Sequence, residues 1–242
     1  MPKPESSRAV ALLALVADEM LRDDAGMGMV PQLERANALM GRDAEVHALT
    51  KLAQSGQIVY LHGLAGMGKS ALLNHFVQQC QASGFSVIAL DCRTIEPTER
   101  GFLQAANGYD DLKAFLEYLK TLAPPVVLVL DHYEVFRLMD TWTRQTLVPL
   151  LPVGVGLVLA CRERPVAGWW GVEGFHELSL RPLDQSDALE LLERRGISAG
   201  EAVRLNRIAR GHPLALVLAS PGVLDNPEQG LGMPSCRWLS TS

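Results

Sequence analysis

QIVYLH-GLAGMGKS-ALLNHFVQQCQA, residues 57–82, is the stretch whose reading decides the fold. Residues 57–62 make an apolar run of strand length. Residues 69–82 put Leu72, Leu73, Phe76, Val77 and Cys80 on one side of a helix. Between them, Gly63-Leu64-Ala65-Gly66-Met67-Gly68-Lys69-Ser70 matches G-x-x-x-x-G-K-[ST], in the strand–loop–helix setting that this motif needs. Glycines let such a loop wrap with its N–H groups inward, and the helix start adds positive potential. The expected contacts to a nucleotide are Gly63, Gly66, Met67, Gly68, Lys69, Ser70 and Ala71. Lys69 is expected to reach the β- and γ-phosphates, and the Ser70 hydroxyl to take Mg²⁺. The competing reading, a glycine-rich turn with a chance lysine, leaves the strand and helix in register by coincidence.

Outward from this loop, strand-like runs and amphipathic segments alternate. SVIALD at 86–91, VVLVLD at 126–131, GLVLAC at 156–161 and FHELSL at 175–180 read as strands. Residues 110–122, with Leu112, Phe115, Leu116 and Leu119 in helical spacing, read as a helix. So do residues 134–148, with Val135, Leu138, Met139 and Trp142 expected to face inward. This alternation predicts an α/β fold with a parallel sheet, and the fully apolar run at 126–131 belongs in its covered middle. The pattern then changes to helices alone. One covers 185–195, with Asp184 as its cap and Asp187 completing an approximate capping box. A second covers 199–210 and stops at Gly211, and a short third begins at Pro213. The chain divides on this reading into an N-terminal helix and linker at 1–30, a nucleotide-binding domain at 31–182, a partial helical subdomain at 183–219 and an irregular tail at 220–242.

Three residues downstream of the loop have catalytic chemistry. Asp131 ends an apolar strand, where a carboxylate can hold Mg²⁺ and its water; it can equally cap the helix that follows. Glu134 could orient a water at the γ-phosphate, or stabilise the first turn of its own helix. Arg162, at the end of the 156–161 strand, could sense a γ-phosphate by charge-assisted hydrogen bonds, with Arg164 as the competing candidate and a surface ion pair as the structural alternative. His132 occupies the position after Asp131, and a neutral imidazole there is a weak activator of water. Slow hydrolysis follows.

Composition narrows the field. The 242 residues are 48% hydrophobic and 20% charged, so a full core forms without staples. The net charge of −5 gives no global basic field for nucleic acid. Cys80, Cys92, Cys161 and Cys236 form no paired motif, which argues for reduced thiols in a cytoplasmic protein. His47, His62, His75 and His176 lack metal-ligand spacing. The run at 9–17 has the length of a signal-peptide core, but the charges that follow it favour a partly buried helix, and no run spans a membrane. Trp169 and Trp170 read as a loop packed on the sheet edge rather than a stacking platform. The arginines at 194–210 read as a solvated helix surface.

The order of motifs resembles a known family. Gly41-Arg42-Asp43-x-Glu45, GLAGMGKS, VVLVLDHYE, LVLACRERP and Gly211-His212-Pro213-Leu214-Ala215-Leu216 together look like the STAND class of P-loop NTPases, relatives of AAA+ and NB-ARC proteins, and most like bacterial ATP-binding regulators. The resemblance covers about residues 32–219. It implies a sheet of order 5-1-4-3-2 within a three-layer α/β/α fold, and ATP/ADP with Mg²⁺ as cofactors. It also implies roles for Gly41, Arg42 and Glu45 near the adenine and ribose, and for His212 and Pro213 in closing a helical lid over the nucleotide. ADP is then expected to hold a closed state, and ATP with an inducer to open it. Two departures stand out. Family members continue into a winged-helix subdomain, whereas a Gly/Pro-rich tail follows GHPLAL here, so a chain truncated after that motif is expected. His132 also replaces a second acid.

Three functions remain open at this level. The first is a regulatory switch with slow Mg²⁺-dependent ATP hydrolysis, working with a protein partner or a missing effector region. The second is an AAA+ motor or loader, for which no arginine finger is assignable. The third is a small-molecule kinase on the same loop, for which no acceptor pocket is readable. Direct nucleic-acid binding and membrane association are not expected.

Overall fold

The computed structural model of the chain describes residues 39–220; the N-terminal helix expected at 1–30 and the tail beyond Ser220 lie outside them. The elements are α1 (Asp43–Gln54), β1 (Ile58–His62), α2 (Lys69–Ala82), β2 (Ser86–Asp91), α3 (Glu99–Asn107), α4 (Leu112–Thr121) and β3 (Val126–Asp131). After a helical stretch over 133–150 come β4 (Val155–Cys161), β5 (Phe175–Ser179), α5 (Gln185–Arg194), α6 (Ala199–Ala209) and α7 (Pro213–Leu218).

The five strands form one parallel sheet in the order β2-β3-β4-β1-β5, which is the expected 5-1-4-3-2 read from the other edge. Every residue of β4 and the first five of β3 are buried, as a strand covered on both faces requires. Side chains alternate along each strand. Ile58, Tyr60, Leu128, Leu130, Leu157 and Leu159 join a core with Phe102 and Phe115 of α3 and α4. The alternate set, including Val59, Leu61, Val127, Val129 and Val158, is equally buried on the side of α1 and α2. At the β5 edge, Trp169 is fully buried and stacks on Phe175 at 5.6 Å, while the exposed Trp170 meets the same ring edge-on. The packing reading therefore describes Trp169.

Two segments differ from the sequence expectation. Helix α3 is unforeseen, because Gly101 in its first turn reads as a helix breaker. The glycine is there for space: a Cβ would lie 2.3 Å from the Glu96 carbonyl oxygen. Thr98 caps the helix by accepting from Gly101 N at 3.0 Å. In the 133–150 stretch, Val135 and Leu138 are exposed, not inward; Leu138 is 90% exposed. The stretch begins as a 3₁₀ helix, Tyr133–Met139, passes through α turns and continues as a π-helical turn, Thr143–Leu147. A repeat of three residues per turn buries Tyr133, Phe136 and Met139 instead.

The chain groups into two compact units. One holds Arg42–Leu64 and Lys69–Leu180, and so the whole sheet. The other holds, of the described residues, 39–41, Ala65–Gly68 and 181–220. The second has its own core of Leu183, Ala188, Leu192, Ile197, Ala202, Leu205 and Leu216, with Met40 packed on it. Asp184 caps α5 by accepting from Asp187 N at 2.9 Å, as expected, and Pro213 takes the first turn of α7.

Candidate functional site

In the sheet unit, the site grows from the C-terminal tips of neighbouring strands. β1 runs into Gly63 and Leu64, and α2 begins at Lys69. The Lys69 ammonium donates to the Gly63 carbonyl at 2.6 Å and to the Leu64 carbonyl at 3.0 Å. The side chain is buried, and desolvation lowers its pKa. Glu134 pulls in the opposite direction most strongly, followed by Asp131, while Arg162 adds to the lowering. Lys69 therefore feels charges from two strand ends, Asp131 and Glu134 at the end of β3 and Arg162 at the end of β4. Ser70 and Ala71 follow Lys69 in the first turn of α2, both half-buried.

Asp131 is the last residue of β3 and accepts from the His132 N–H at 2.8 Å. His132 has φ +54°, a left-handed conformation uncommon outside glycine. That turn sends its ring between two carboxylates: Nδ1 lies 3.2 Å from Asp91 Oδ1 and 3.4 Å from Asp131 Oδ2. The angles are poor for hydrogen bonding, so the contact is chiefly electrostatic. Asp91, at the tip of β2, is buried and clamped by Arg93 through Nη2 at 2.7 Å, Nε at 3.1 Å and the backbone N–H at 3.1 Å. Burial alone would raise the Asp91 pKa. His132 and Arg93 overcome it and hold the carboxyl well below the usual range.

Glu134 is held across the sheet tip by Arg162. Its Oε1 lies 3.1 Å from Arg162 Nε, and its Oε2 accepts from the Arg162 N–H at 3.2 Å. The two residues expected from sequence to serve a γ-phosphate are thus paired with each other. Arg164 makes no hydrogen bond or ion pair among the described residues. Arg42, buried at the start of α1, pairs with Glu45 at 2.9 Å, so two members of the GRxxE segment meet.

In the second unit, Ala65–Gly68 forms the middle of the phosphate loop, with Met67 buried and with Gly66 and Gly68 at φ +73° and +88°. The GHP segment touches this stretch. His212 Nε2 lies 3.0 Å from the Ala65 carbonyl oxygen, and Leu214 N donates to the Gly66 carbonyl at 3.2 Å. Pro213 between them starts α7, and His212 Nδ1 accepts from Ala215 N at 3.4 Å. Gly41 of the same unit has φ +62° beside Asp187.

The donors suit a nucleotide with a hard cation. Within the sheet unit they are one buried ammonium, the Ser70 hydroxyl and the Asp131 carboxylate. No cluster of three or more histidine, cysteine or acidic ligands occurs among the described residues. A metal here would therefore take few protein oxygens and complete its shell with phosphate and water, which is the habit of Mg²⁺. In the sequence, Asp91 shows only as the end of a strand-like run, and no pattern there signals the His132 turn that brings Asp91 and Asp131 to one ring.

Comparison with known proteins places the chain. The Walker-type ATPase of Pyrococcus abyssi has a TM-score of 0.53 and 16% identity over 84% of this chain and 72% of that one. The Orc1 protein of Aeropyrum pernix, solved in complex with DNA, has a TM-score of 0.57 and 16% identity over 79% of this chain and 62% of that one. Thermotoga maritima RuvB gives 0.53 and 17%, over 84% and 70%. At such identities the likeness is one of fold. None of the curated proteins compared with the chain matches it. Among the described residues, no helix is long and apolar enough to cross a membrane. The sequence pattern of the family described as "AAA ATPase domain" matches residues 38–159, half of the chain, and the protein belongs to that family.

Proposed function

We propose that this AAA ATPase domain works as a nucleotide switch of the STAND type. It binds ATP or ADP with Mg²⁺, hydrolyses ATP slowly, and passes the state of the loop to a regulatory partner. The observation that supports this best is the Glu134–Arg162 pair. Glu134 is the carboxylate felt most strongly by Lys69, and so the best-placed base for a γ-phosphate water, yet its two oxygens are committed to Arg162. His132, directly after Asp131, supplies no second carboxylate. A base already held by an arginine accepts a proton only after the pair opens, which keeps turnover low.

Bound Mg²⁺-nucleotide would supply the charge that polarises the γ-phosphate. The chain's own residues bind and orient it. Lys69 would hold the phosphates in place of its present carbonyl partners, Ser70 and Asp131 would offer oxygens to the cation, and Arg162, now paired with Glu134, would be the cation available to a γ-phosphate. Arg42, paired with Glu45 in the sheet unit, would take the nucleoside side. His212 and Pro213 follow the loop through the Ala65 and Gly66 carbonyls, so a shift of the loop is felt at the start of α7.

The test is single-turnover hydrolysis together with analysis of the purified protein. ADP should copurify at close to one equivalent, and ATP turnover should stay below about one per second, the low edge of ordinary enzymes. Turnover well above that rate, or stimulation by DNA, would instead favour a motor.

A further inference from the structure

A cavity lies beside Glu134, wholly within the sheet unit, and the phosphate loop takes no part in it. Its volume is about 250 Å³. It opens between the 133–150 helical stretch and the loop that follows β4. Tyr60, Tyr133 and Cys161 line it as buried residues. Burial pushes up the pKa of both the Tyr60 hydroxyl and the Cys161 thiol and keeps that part of the wall neutral.

The rest of the wall is charged, and its charges are unequally committed. Each carboxylate already has partners. Glu134 takes the Arg162 guanidinium and N–H. Asp140 accepts the Trp169 indole N–H at 2.8 Å and the Tyr133 hydroxyl at 3.4 Å. Glu163 takes Arg137 at 3.0 Å. The cations are less well served. Arg164 has no partner among the described residues, and the Arg144 Nε is buried without a hydrogen bond, 3.6 Å from Asp140. Three guanidinium groups, Arg137, Arg144 and Arg164, line the cavity beside three carboxylates, and the buried side-chain atom of this wall left without a hydrogen bond is a donor, the Arg144 Nε.

Arg144 is also deliberately placed. It sits on the π-helical turn, a form that recurs at functional sites. Its guanidinium lies against Gly168, where a Cβ would come within 2.5 Å of the guanidinium carbon. Only glycine leaves room for that arrangement.

We propose that this cavity is a binding site for a small anion, a phosphate or carboxylate compound, held by Arg164 and Arg144. At about 250 Å³ it is below the roughly 300–1,000 Å³ typical of pockets for drug-sized ligands, so the ligand is a compact one. Glu134 belongs both to this wall and to the Lys69 group, so an occupant alters the field at Glu134. That consequence rests on the proposed role of Glu134; the site itself does not.

The test is calorimetric titration of the full chain saturated with ADP and Mg²⁺, so that the phosphate loop is filled. Inorganic phosphate is the probe in one arm and malonate in the other. At least one should bind, and the tighter of the two identifies the ligand's charged group. Arg164→Ala and, separately, Gly168→Ala should each weaken that binding about tenfold, the scale of a charge-assisted hydrogen bond, with ADP affinity unchanged. Lys69→Ala, tested without ADP, should retain it. The proposal is overturned if neither probe binds, if binding survives both cavity variants, or if Lys69→Ala abolishes it. ADP affinity, read in the same samples, reports on the phosphate loop independently.

Discussion

Two arginine–carboxylate pairs stand at neighbouring strand tips and are built in opposite ways. Asp91 and Arg93 are two residues apart, and the pair closes on its own turn. The carboxylate is 7% exposed and takes a fork of side-chain bonds plus a backbone N–H. Glu134 and Arg162 are 28 residues apart, with side chains 21% and 45% exposed. The first pair fixes a buried charge that has nowhere else to go. The second joins two strand ends within reach of water, where an ion pair contributes little and another anion can replace one partner. One pair is a fixture of the fold, and the other is exchangeable.

The comparison is broken most severely at Lys69, which feels Glu134 and Asp131. Lys69→Ala should lower nucleotide affinity by about 100-fold or more, since several charge-assisted bonds go at once. Calorimetry with ADP measures it, and undiminished binding would refute the whole site. Glu134→Gln acts on the exchangeable pair. Hydrolysis should fall by about 10²–10⁴-fold, the usual contribution of a general base, while stability changes by less than about 1 kcal/mol. Single-turnover assays and urea titration of the same variant check both halves. A large loss of stability there would make Glu134–Arg162 a fixture as well.

The legible part of this fold was written locally. GLAGMGKS lies between an apolar run and an amphipathic one, and β1, α2, β2 and β3 fall where those runs place them. Asp184 and Pro213 mark helix starts by their own chemistry. What sequence patterns missed depends on partners distant in the chain or on an unusual helical repeat. Gly101 looks like a breaker until the Glu96 carbonyl is seen against it. Val135 and Leu138 look inward only if 133–139 winds at 3.6 residues per turn, and it winds at three. The candidate site divides in the same way. Lys69, Ser70 and Asp131 are readable from motif and strand end. The pairing of Glu134 with Arg162, and the His132 ring between Asp91 and Asp131, bring together residues 28 and 41 positions apart that no short pattern connects.

The fixed pair should show itself in stability rather than in nucleotide binding. Asp91→Asn removes the charge that Arg93 and His132 surround. Since Arg93 is itself 55% exposed and can return to water, the cost is that of the lost charged hydrogen bonds, about 2 kcal/mol at neutral pH. For a chain of this size that is roughly 4–8 °C in Tm. ADP affinity should be unchanged.

The smallest and sharpest effect is the pH dependence of that same difference. The folded state holds the Asp91 carboxyl below its ordinary value, because burial, which alone would raise it, is outweighed by the nearby His132 ring and the Arg93 hydrogen bonds. The unfolded chain binds its proton near the ordinary value, about 3.9. The stabilisation is therefore fully present above that value and is lost as pH falls toward the folded pKa. An asparagine has no such titration. Urea midpoints of wild type and Asp91→Asn should differ by a constant amount from pH 7 down to about 5, and the gap should narrow below about pH 4. A gap that stayed constant through that range would show that Arg93 and His132 hold the side chain by shape rather than by its charge, and the contrast with the exchangeable pair would rest on burial alone.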